Sequence, residues 1–375
     1  MTQRYTHYPQ EEGLAIFAQN TGRMNEQLYM QRCLQLAGYG DGHVSPNPMV
    51  GAVIVDGDLI IGEGYHKKAG GPHAEVEAIR CVGNEEQLRT STLYVNLEPC
   101  SHFGRTPPCT SLILEKKIPK VVVGMKDPFE RVNGSGIQLL RENGVEVSCG
   151  ILESECRQLN RRFITFHEKK RPYVILKWAQ TADGFIGTKK KKINISNSLS
   201  GIYTHKMRHT EDGILAGAGT IRTDNPKLNT RNWAGKSPVR VIIDPKGSLM
   251  GQSAYHVFDG TQRTLVITQQ EESDYPNSEI IRLSPGLSII PQLSRALYEA
   301  GLQSLLVEGG AGILGMFLEN GIWDECHIFT SPHLLVGGVP APGTPMGVRR
   351  EIELQDNTLS IITNPAMDTN PPYSI

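Results

Sequence analysis

Three side chains suited to a soft divalent ion, and one acid able to serve it, fall between positions 73 and 109: His73, Cys100, Cys109 and Glu75. One imidazole and two thiolates supply three of the four ligands of a tetrahedral zinc and leave the fourth position to water. Zinc lowers the pKa of that water from about 16 towards 7, so hydroxide is available at neutral pH. Glu75 lies two residues past His73, on the same helical turn. It reaches the water without ligating the metal and can carry its proton to a departing amine. Each residue alone reads equally well as a buried cysteine or a surface histidine; together, and with Pro99, they favour the metal.

His73-Ala74-Glu75 followed by Pro99-Cys100 fits the H-x-E and P-C-x-x-C signature of zinc nucleobase deaminases. The departure is in the second half, where eight residues rather than two separate Cys100 from Cys109. That loop must fold back, and it carries Gly104 and Pro107-Pro108, residues that build turns. Pro107 or Pro108 opens a helix with Cys109 at its start, where the helix dipole favours thiolate. With Pro46-Asn47-Pro48-Met49-Val50-Gly51 upstream and Glu98-Pro99-Cys100-Ser101-His102-x-Gly104-Arg105-Thr106-Pro107-Pro108-Cys109, the pattern resembles the deaminase half of the bifunctional riboflavin-biosynthesis deaminase–reductases. The long cysteine spacing separates it from cytidine, guanine and tRNA-adenosine deaminases. The resemblance implies one zinc on His73, Cys100 and Cys109, Glu75 as the catalytic residue, and Asn47, His102 and Arg105 on the substrate, Arg105 for its phosphate.

A second kind of chemistry is suggested by Glu308-Gly309-Gly310-Ala311-Gly312, which closes a strand and opens a helix. Backbone N–H groups there approach an anion, and the helix start adds favourable partial charge. The signal is weaker than a dinucleotide fingerprint. A second glycine-rich turn, Ala216-Gly217-Ala218-Gly219-Thr220, is followed closely by Asp224, Leu228 and Arg231, and Lys177-Trp178-Ala179-x-Thr181-x-Asp183-Gly184 precedes both. These three segments resemble the reductase half of the same family, whose fold is similar to dihydrofolate reductase. The resemblance implies NADPH against Ala179, Asn194, Thr220, Asp224 and the backbone of Gly310, Ala311, Gly312, Ile313, Leu314 and Gly315. It places the phosphorylated sugar of the substrate against Lys177, Arg208, Leu228, Arg231 and Glu308. Guanidinium forks suit phosphate, and Lys177 and Asp224 are the polar candidates for proton transfer. The implied sequence of reactions is deamination of a diaminopyrimidinone ribose phosphate, then hydride transfer that turns its ribosyl group into a ribityl chain. One feature departs from the family: Asn194 stands where a tryptophan is common, which motivates the alternative of an active deaminase with a degenerate, non-catalytic reductase half. The lysine run at 189–192 reads as a solvated loop or as an attraction for the cofactor's extra phosphate.

The elements that must position these residues alternate. Apolar spacing predicts a helix over 24–39, strands over 50–55 and 59–65 about an Asp56-Gly57-Asp58 turn, and a helix from His73 to about 82. A strand over 92–97 ends on Glu98-Pro99-Cys100; helices over 109–116, 136–143 and 153–167 then alternate with strands over 120–125 and 146–149. Such interleaving implies a mostly parallel sheet covered on both faces, in keeping with a cytidine-deaminase-like three-layer α/β/α domain over 24–167. The charged stretch 168–171 is the expected boundary. The reductase domain, 172–363, has predicted strands at 173–179, 213–216, 239–244, 264–268, 304–307, 325–330 and 358–363, with helices at 199–210, 290–301 and 313–319. Residues 1–23 read as an extension, with Met24 a natural start, and 364–375 as a frayed tail.

Composition sets outer bounds. A chain of 375 residues suits two domains with separate cores. A net charge of −1 offers no footprint for a nucleic-acid backbone. The seven cysteines show no disulfide framework beyond the zinc pair, which points to a reducing cytoplasm. No apolar run approaches the roughly 18 residues needed to span a bilayer, and the first 23 residues lack the layout of a signal peptide. The expected partners are a small pyrimidine ribose phosphate and further copies of the chain, as dimer or tetramer, with neither nucleic acid nor membrane.

Overall fold

The computed structural model describes residues 25–102, 107–129, 133–188 and 193–365. Arg105, the lysine run at 189–192, the extension at 1–23 and the end of the tail lie outside the described residues. The chain divides into two compact units between Arg161 and Arg162, ahead of the charged stretch at 168–171.

In the first unit, helix α1 (residues 25–38) precedes strands β1 (Gly51–Asp56) and β2 (Leu59–Tyr65), which flank the turn at Gly57. Gly57 has φ +60°, a left-handed conformation that glycine adopts at no steric cost. Then follow α2 (Ala74–Arg80), β3 (Thr92–Leu97), α3 (Cys109–Glu115), β4 (Lys120–Met125), α4 (Ser135–Glu142), β5 (Glu146–Cys149) and α5 (Glu153–Leu159). The sheet order is β2-β1-β3-β4-β5. Only β3, β4 and β5 run parallel; β1 is antiparallel to both its neighbours. The expected mostly parallel sheet is therefore mixed, because a tight hairpin can join only antiparallel strands. Ala52, Ile54, Val95 and Val123 pack one face against Ala78 of α2, Ile113 of α3 and Leu140 of α4. On the other face α1 and α5 come close: a Cβ on Gly51 would meet the Cys33 carbonyl, and one on Gly124 the Cys156 sulfur. The single helix expected over 153–167 is two, α5 and α6 (Arg161–Lys169). Asn160 breaks it by turning its amide onto Met49, accepting from the Met49 N–H at 2.8 Å and donating to its carbonyl at 2.9 Å.

The second unit contains β6 (Tyr173–Thr181), β7 (Phe185–Gly187), α7 (Ser198–Thr210), β8 (Gly213–Gly217), α8 (Ala218–Asp224), β9 (Val239–Ile243), β10 (Thr264–Thr268) and β11 (Glu279–Arg282). It continues with α9 (Ile289–Glu299), β12 (Ser304–Val307), α10 (Ala311–Glu319), β13 (Glu325–Ser331), β14 (Val339–Pro340), β15 (Val348–Leu354) and β16 (Asn357–Thr363). The main sheet runs β11-β10-β9-β8-β12-β6-β13-β16-β15; β11 to β13 are parallel, and β16 and β15 antiparallel. Alternation along β6 divides the core: Val174, Leu176 and Trp178 pack with α9 and α10, Tyr173 and Ile175 with α7 and α8. Strands β7, β11, β14 and β15 and helix α8 were not legible as such in the sequence. β15 is an edge strand with its first four residues exposed, so it carries charge instead of an apolar alternation.

Candidate active sites

Helix starts and strand ends bring the first cluster together. His73 is the N-cap of α2, Cys100 lies three residues beyond the end of β3, and Cys109 is the first residue of α3 behind Pro108, its N-cap. The ligand atoms of His73, Cys100 and Cys109 lie within 4.8 Å of one another. His73 Nδ1 is 3.2 Å from the Cys109 sulfur and 3.6 Å from that of Cys100. The fold-back between the cysteines is tied by the Cys109 N–H, which donates to the Cys100 sulfur at 3.3 Å, and by the Thr110 N–H and hydroxyl on the Cys100 carbonyl. Hydrogen bonds from Cys109 and His73 lower the Cys100 thiol, and the contact with Cys100 raises His73. One imidazole and two cysteine sulfurs, with ligand atoms within 4.8 Å of one another, are a donor set that fits zinc.

Glu75 is 3% exposed on the first turn of α2. Burial, and then the negative Cys100, push its carboxyl above the usual range. Asn47 is fixed by a residue that the sequence reading passed over. Its amide lies 3.0 Å from His66 Nε2, and His66 Nδ1 lies 2.8 Å from the Pro72 carbonyl. Since a carbonyl only accepts, Nδ1 carries the proton and Nε2 accepts from Asn47. Burial lowers His66, in keeping with that neutral form, and its ring stands edge-on to His73, centroids 5.8 Å apart. His102 is exposed. Asp127, at the end of β4, was also passed over; burial pushes it up to about 6, with Glu98 adding to the rise and the Phe129 N–H opposing it. Only position relative to strand ends marks such residues, and that required the sheet order. Glu98 ties these parts together: it accepts from the N–H groups of Asp127 (3.2 Å), Gly134 (2.8 Å), Gly136 (2.9 Å) and Ile137 (3.2 Å).

The second site is a cavity of roughly 1380 Å³ along the carboxyl ends of the parallel strands, larger than the 300–1,000 Å³ or so usual for one small ligand. Lys177, Ala179, Asn194, Thr220, Asp224, Glu308, Gly310, Ala311, Gly312 and Ile313 all line it. Leu314 does not: it is fully buried in the core beneath, and Gly315 is likewise outside the lining, because the helix turns both away. Arg208, Leu228 and Arg231 lie outside the lining as well. The two glycine-rich turns start α8 and α10, and a Cβ on Gly217 or Gly309 would collide with Ile313 at 2.9 and 2.8 Å. Paired helix starts over one long cavity fit the pyrophosphate of a dinucleotide.

At its reacting end Arg208 and Glu308 form a two-pronged pair, both contacts 2.8 Å, and Arg208 also donates to the Asn229 carbonyl at 3.1 Å. The fork expected on phosphate thus faces a carboxylate here. Burial alone would raise Glu308, but Arg208 and Lys177 outweigh it and hold the group at about 2. Burial depresses the Lys177 ammonium despite Glu308; its nitrogen lies 5.3 Å from the Phe329 ring centroid. Leu228 is buried at φ +50°. The Arg231 N–H donates to His205 Nδ1 at 3.2 Å, and its guanidinium to the Asn229 side chain. Asp183 of the Thr-x-Asp-Gly segment accepts from the Leu335 and Val336 N–H groups, so its service is to the turn.

A soft-donor metal centre with a buried acid, in one unit, and a cofactor cavity on a dihydrofolate-reductase-like sheet, in the other, define a zinc deaminase joined to a nicotinamide-dependent reductase. The comparisons agree: residues 23–125 match the cytidine and deoxycytidylate deaminase zinc-binding region, and residues 172–364 the RibD C-terminal domain. The chain is 37% identical to riboflavin biosynthesis protein RibD of Bacillus amyloliquefaciens, over 84% of this chain and 87% of that one. With RibD of Aquifex aeolicus it shares 39% over 84% and 89%. A crystal structure of a diaminohydroxyphosphoribosylaminopyrimidine deaminase/5-amino-6-(5-phosphoribosylamino)uracil reductase from Thermotoga maritima superposes with a TM-score of 0.82 at 38% identity, covering 92% of this chain and all of that one. The chain belongs to the RibD family of riboflavin biosynthesis proteins. It is a bifunctional enzyme of riboflavin biosynthesis, a hydrolytic deaminase and a reductase using Zn2+ and NADPH, and its substrates are small pyrimidine ribose phosphates. Nothing favours a degenerate reductase half. No helix among the described residues is long and apolar enough to cross a membrane.

Proposed function

We propose that Glu75 is the proton carrier of the deaminase site, with His73, Cys100 and Cys109 as the zinc ligands. The convergence of those three donors within 4.8 Å of one another, next to a buried acid, carries the reading. Zinc held there supplies Lewis acidity that makes water a nucleophile at neutral pH. Glu75 takes the proton of the attacking water and returns it to the departing ammonia. Asn47, held by His66, and His102 position the diaminopyrimidinone ring, and Arg105 its ribose phosphate. In the second unit, Ala179, Asn194, Thr220, Asp224 and the backbone from Gly310 hold NADPH, which supplies hydride. Lys177 is the proton donor candidate at the ring-opened ribose. Glu308, Arg208, Leu228 and Arg231 orient the sugar phosphate, a contribution of placement more than of chemistry. Residues 24–167 and 172–363 form the deaminase and reductase domains, with 1–23 as an extension and 364–375 as a tail.

Two coarser expectations belong with this reading. Free cysteines throughout the described residues support a reducing, cytoplasmic setting. Leu334, Val336, Met346 and Val348 are exposed, which supports assembly with further copies of the chain. The deciding test is Glu75→Gln, which preserves the ligands. Ammonia release should fall by about 10²–10⁴-fold, while zinc content and NADPH oxidation with the deaminated substrate stay at wild-type values. Unimpaired ammonia release would remove Glu75 from the mechanism.

A further inference from the structure

The sheet face under α7 carries a further polar group beside Lys177. Odd-numbered residues of β13 share that face with Tyr173 and Ile175: Phe329 packs in the α7 cluster, whereas Cys326 and Ile328 pack on the side of α9 and α10. Register in the parallel pair sets His327 opposite Lys177 and Glu325 opposite Ile175, at ~4.8 Å between strands. Glu308, one residue past the Val307–Leu176 pair of β12 and β6, stands on the other side of Lys177. The lysine is therefore flanked on its own face by an acid and an imidazole.

His327 is 6% exposed and Glu325 5%. His327 Nε2 lies 2.9 Å from Glu325 Oε2, and Glu325 Oε1 accepts from the Tyr173 hydroxyl at 2.9 Å. A carboxylate only accepts, so Nε2 carries the proton and Nδ1 presents a lone pair. Nδ1 is buried with no hydrogen-bond partner among the described residues, a costly state for an acceptor. Lys177 is its complement. The ammonium has the Phe329 ring, centroid 5.3 Å away, and the attraction of Glu308, but no hydrogen bond among the described residues. The Tyr203 ring of α7 lies beside those of His327 and Phe329, with centroids 6.5 and 5.9 Å away. The charged and titratable groups around Lys177 are thus Glu308 after β12, Arg208 and Tyr203 on α7, and His327 and Glu325 on β13. Glu308 supports the lysine's charge and Arg208 opposes it, so an acceptor on the β13 side adds to the support.

We propose that His327 is a positioning residue for the reduction: its Nδ1, with the ring fixed by Glu325 and Tyr173, accepts one hydrogen of the Lys177 ammonium and leaves the others for the substrate. The proposal rests on the reading of Lys177 as the proton donor. It is tested by the single-turnover rate of NADPH oxidation with the deaminated substrate, across pH, for the full chain, His327→Leu, His327→Asn and Lys177→Met. His327→Leu should slow the step about tenfold, as expected on losing a hydrogen bond to a charged group, with NADPH affinity unchanged. Its alkaline limb should move down by about one pH unit, the same free energy read as a shift, because loss of the acceptor disfavours the ammonium. His327→Asn keeps an acceptor near the position of Nδ1 and should recover most of the rate and of the limb. Equal losses in the two variants, or a wild-type profile in His327→Leu, overturns the proposal. Should His327→Leu not fold, histidine 15N spectra of the wild-type chain decide, with His327 assigned by its absence from His327→Asn: a proton on Nε2 alone supports the proposal, and a proton on Nδ1 overturns it. A wild-type rate in Lys177→Met overturns the reading of Lys177 as donor. Loss of the rate there, beside an indifferent His327→Leu, overturns only the part given to His327.

Discussion

Each site keeps a buried glutamate immediately after a strand, Glu98 after β3 and Glu308 after β12, and the two are stabilised in opposite ways. Glu98 is surrounded by four backbone N–H donors, two of them (Gly136 and Ile137) from the first turn of α4. Glu308 faces charged side chains, the Arg208 fork and Lys177. Backbone donors fix shape: they hold Asp127 and the start of α4 (Gly134, Gly136 and Ile137) against the strand end that leads to Cys100, and a Cβ on Gly136 would strike the Pro99 carbonyl at 2.1 Å. Side-chain cations can exchange partners: in the function proposed above the Arg208–Glu308 pair orients a phosphorylated sugar, and a phosphate can compete for the guanidinium. A metal centre needs donors held within tenths of an ångström, whereas a substrate that arrives with its own charge can be met by a pair able to open. That difference assigns rigidity to the first site and exchange to the second.

Arg208→Ala tests the second half of this contrast and should have the largest effect. It leaves Glu308 buried with Lys177 as its remaining cation, and breaking such a pair costs about 3–5 kcal/mol. The depressed Glu308 carboxyl also gives a pH signature. Its contribution is present above the ordinary carboxylate pKa and is lost as pH falls from about 4.5 to about 2. Urea unfolding of the second unit, followed from pH 7 to pH 3, should show wild type losing stability in the lower part of that range and Arg208→Ala starting lower with a shallower fall. Restoring apolar balance with Arg208→Met/Glu308→Leu should recover most of the stability but not the reductase activity. A double variant no more stable than Arg208→Ala would mean that the pair is not the cause.

Glu98→Gln probes the rigid side and should act more modestly. An amide presents one acceptor atom where the carboxylate presents two, so its NH2 is set against two of the four N–H donors. The cost is about 1–3 kcal/mol of local stability, and zinc should bind about 10-fold or more weakly, as for other groups that orient metal ligands. Competition with a chromogenic chelator measures the second effect. Wild-type zinc affinity in Glu98→Gln would show that the start of α4 and the Cys100 strand end are held together by something else.

The same contrast explains what the sequence revealed. The metal centre depends on residue types that few other functions use together, so His73, Glu75, Cys100 and Cys109 were identifiable before any fold was known. Their neighbours were not: His66 and Asp127 are ordinary residues until the sheet order β2-β1-β3-β4 brings the ends of their strands towards that of β3. The glycine-rich turns pointed to the cofactor site, but which residues of α10 face it depends on helix rotation; Leu314 and Gly315 turned away, and α8 was hidden inside what read as a turn. Parallel strands with unbroken apolar runs, such as β6 and β8, were found from pattern alone. The edge strand β15 and the short β7, β11 and β14 lack a two-sided core and so lack that pattern. Asn160 shows a different difficulty: a helix break caused by a contact with Met49, far away in sequence.

The smallest expected effect concerns how the exchangeable pair is framed. His205 is buried on α7 one turn from Arg208, and its Nδ1 accepts from the Arg231 N–H. Burial, then Arg208 and Arg231, push it down to about 4, so the folded chain keeps it neutral where the unfolded chain would protonate it. Between about pH 6.5 and pH 4 the unfolded state therefore binds more protons, and stability falls as pH falls through that window, flattening below it. His205→Asn keeps an acceptor near the position of Nδ1 and removes the titration. Its urea midpoint should lie close to wild type at pH 7.5 and decline less by pH 5, by a fraction of one proton in slope. Parallel declines for the two proteins would place the pH dependence elsewhere. A drop at pH 7.5 itself would show that the imidazole ring supports the 228–231 segment by packing, and the second site would then share the rigidity assigned to the first.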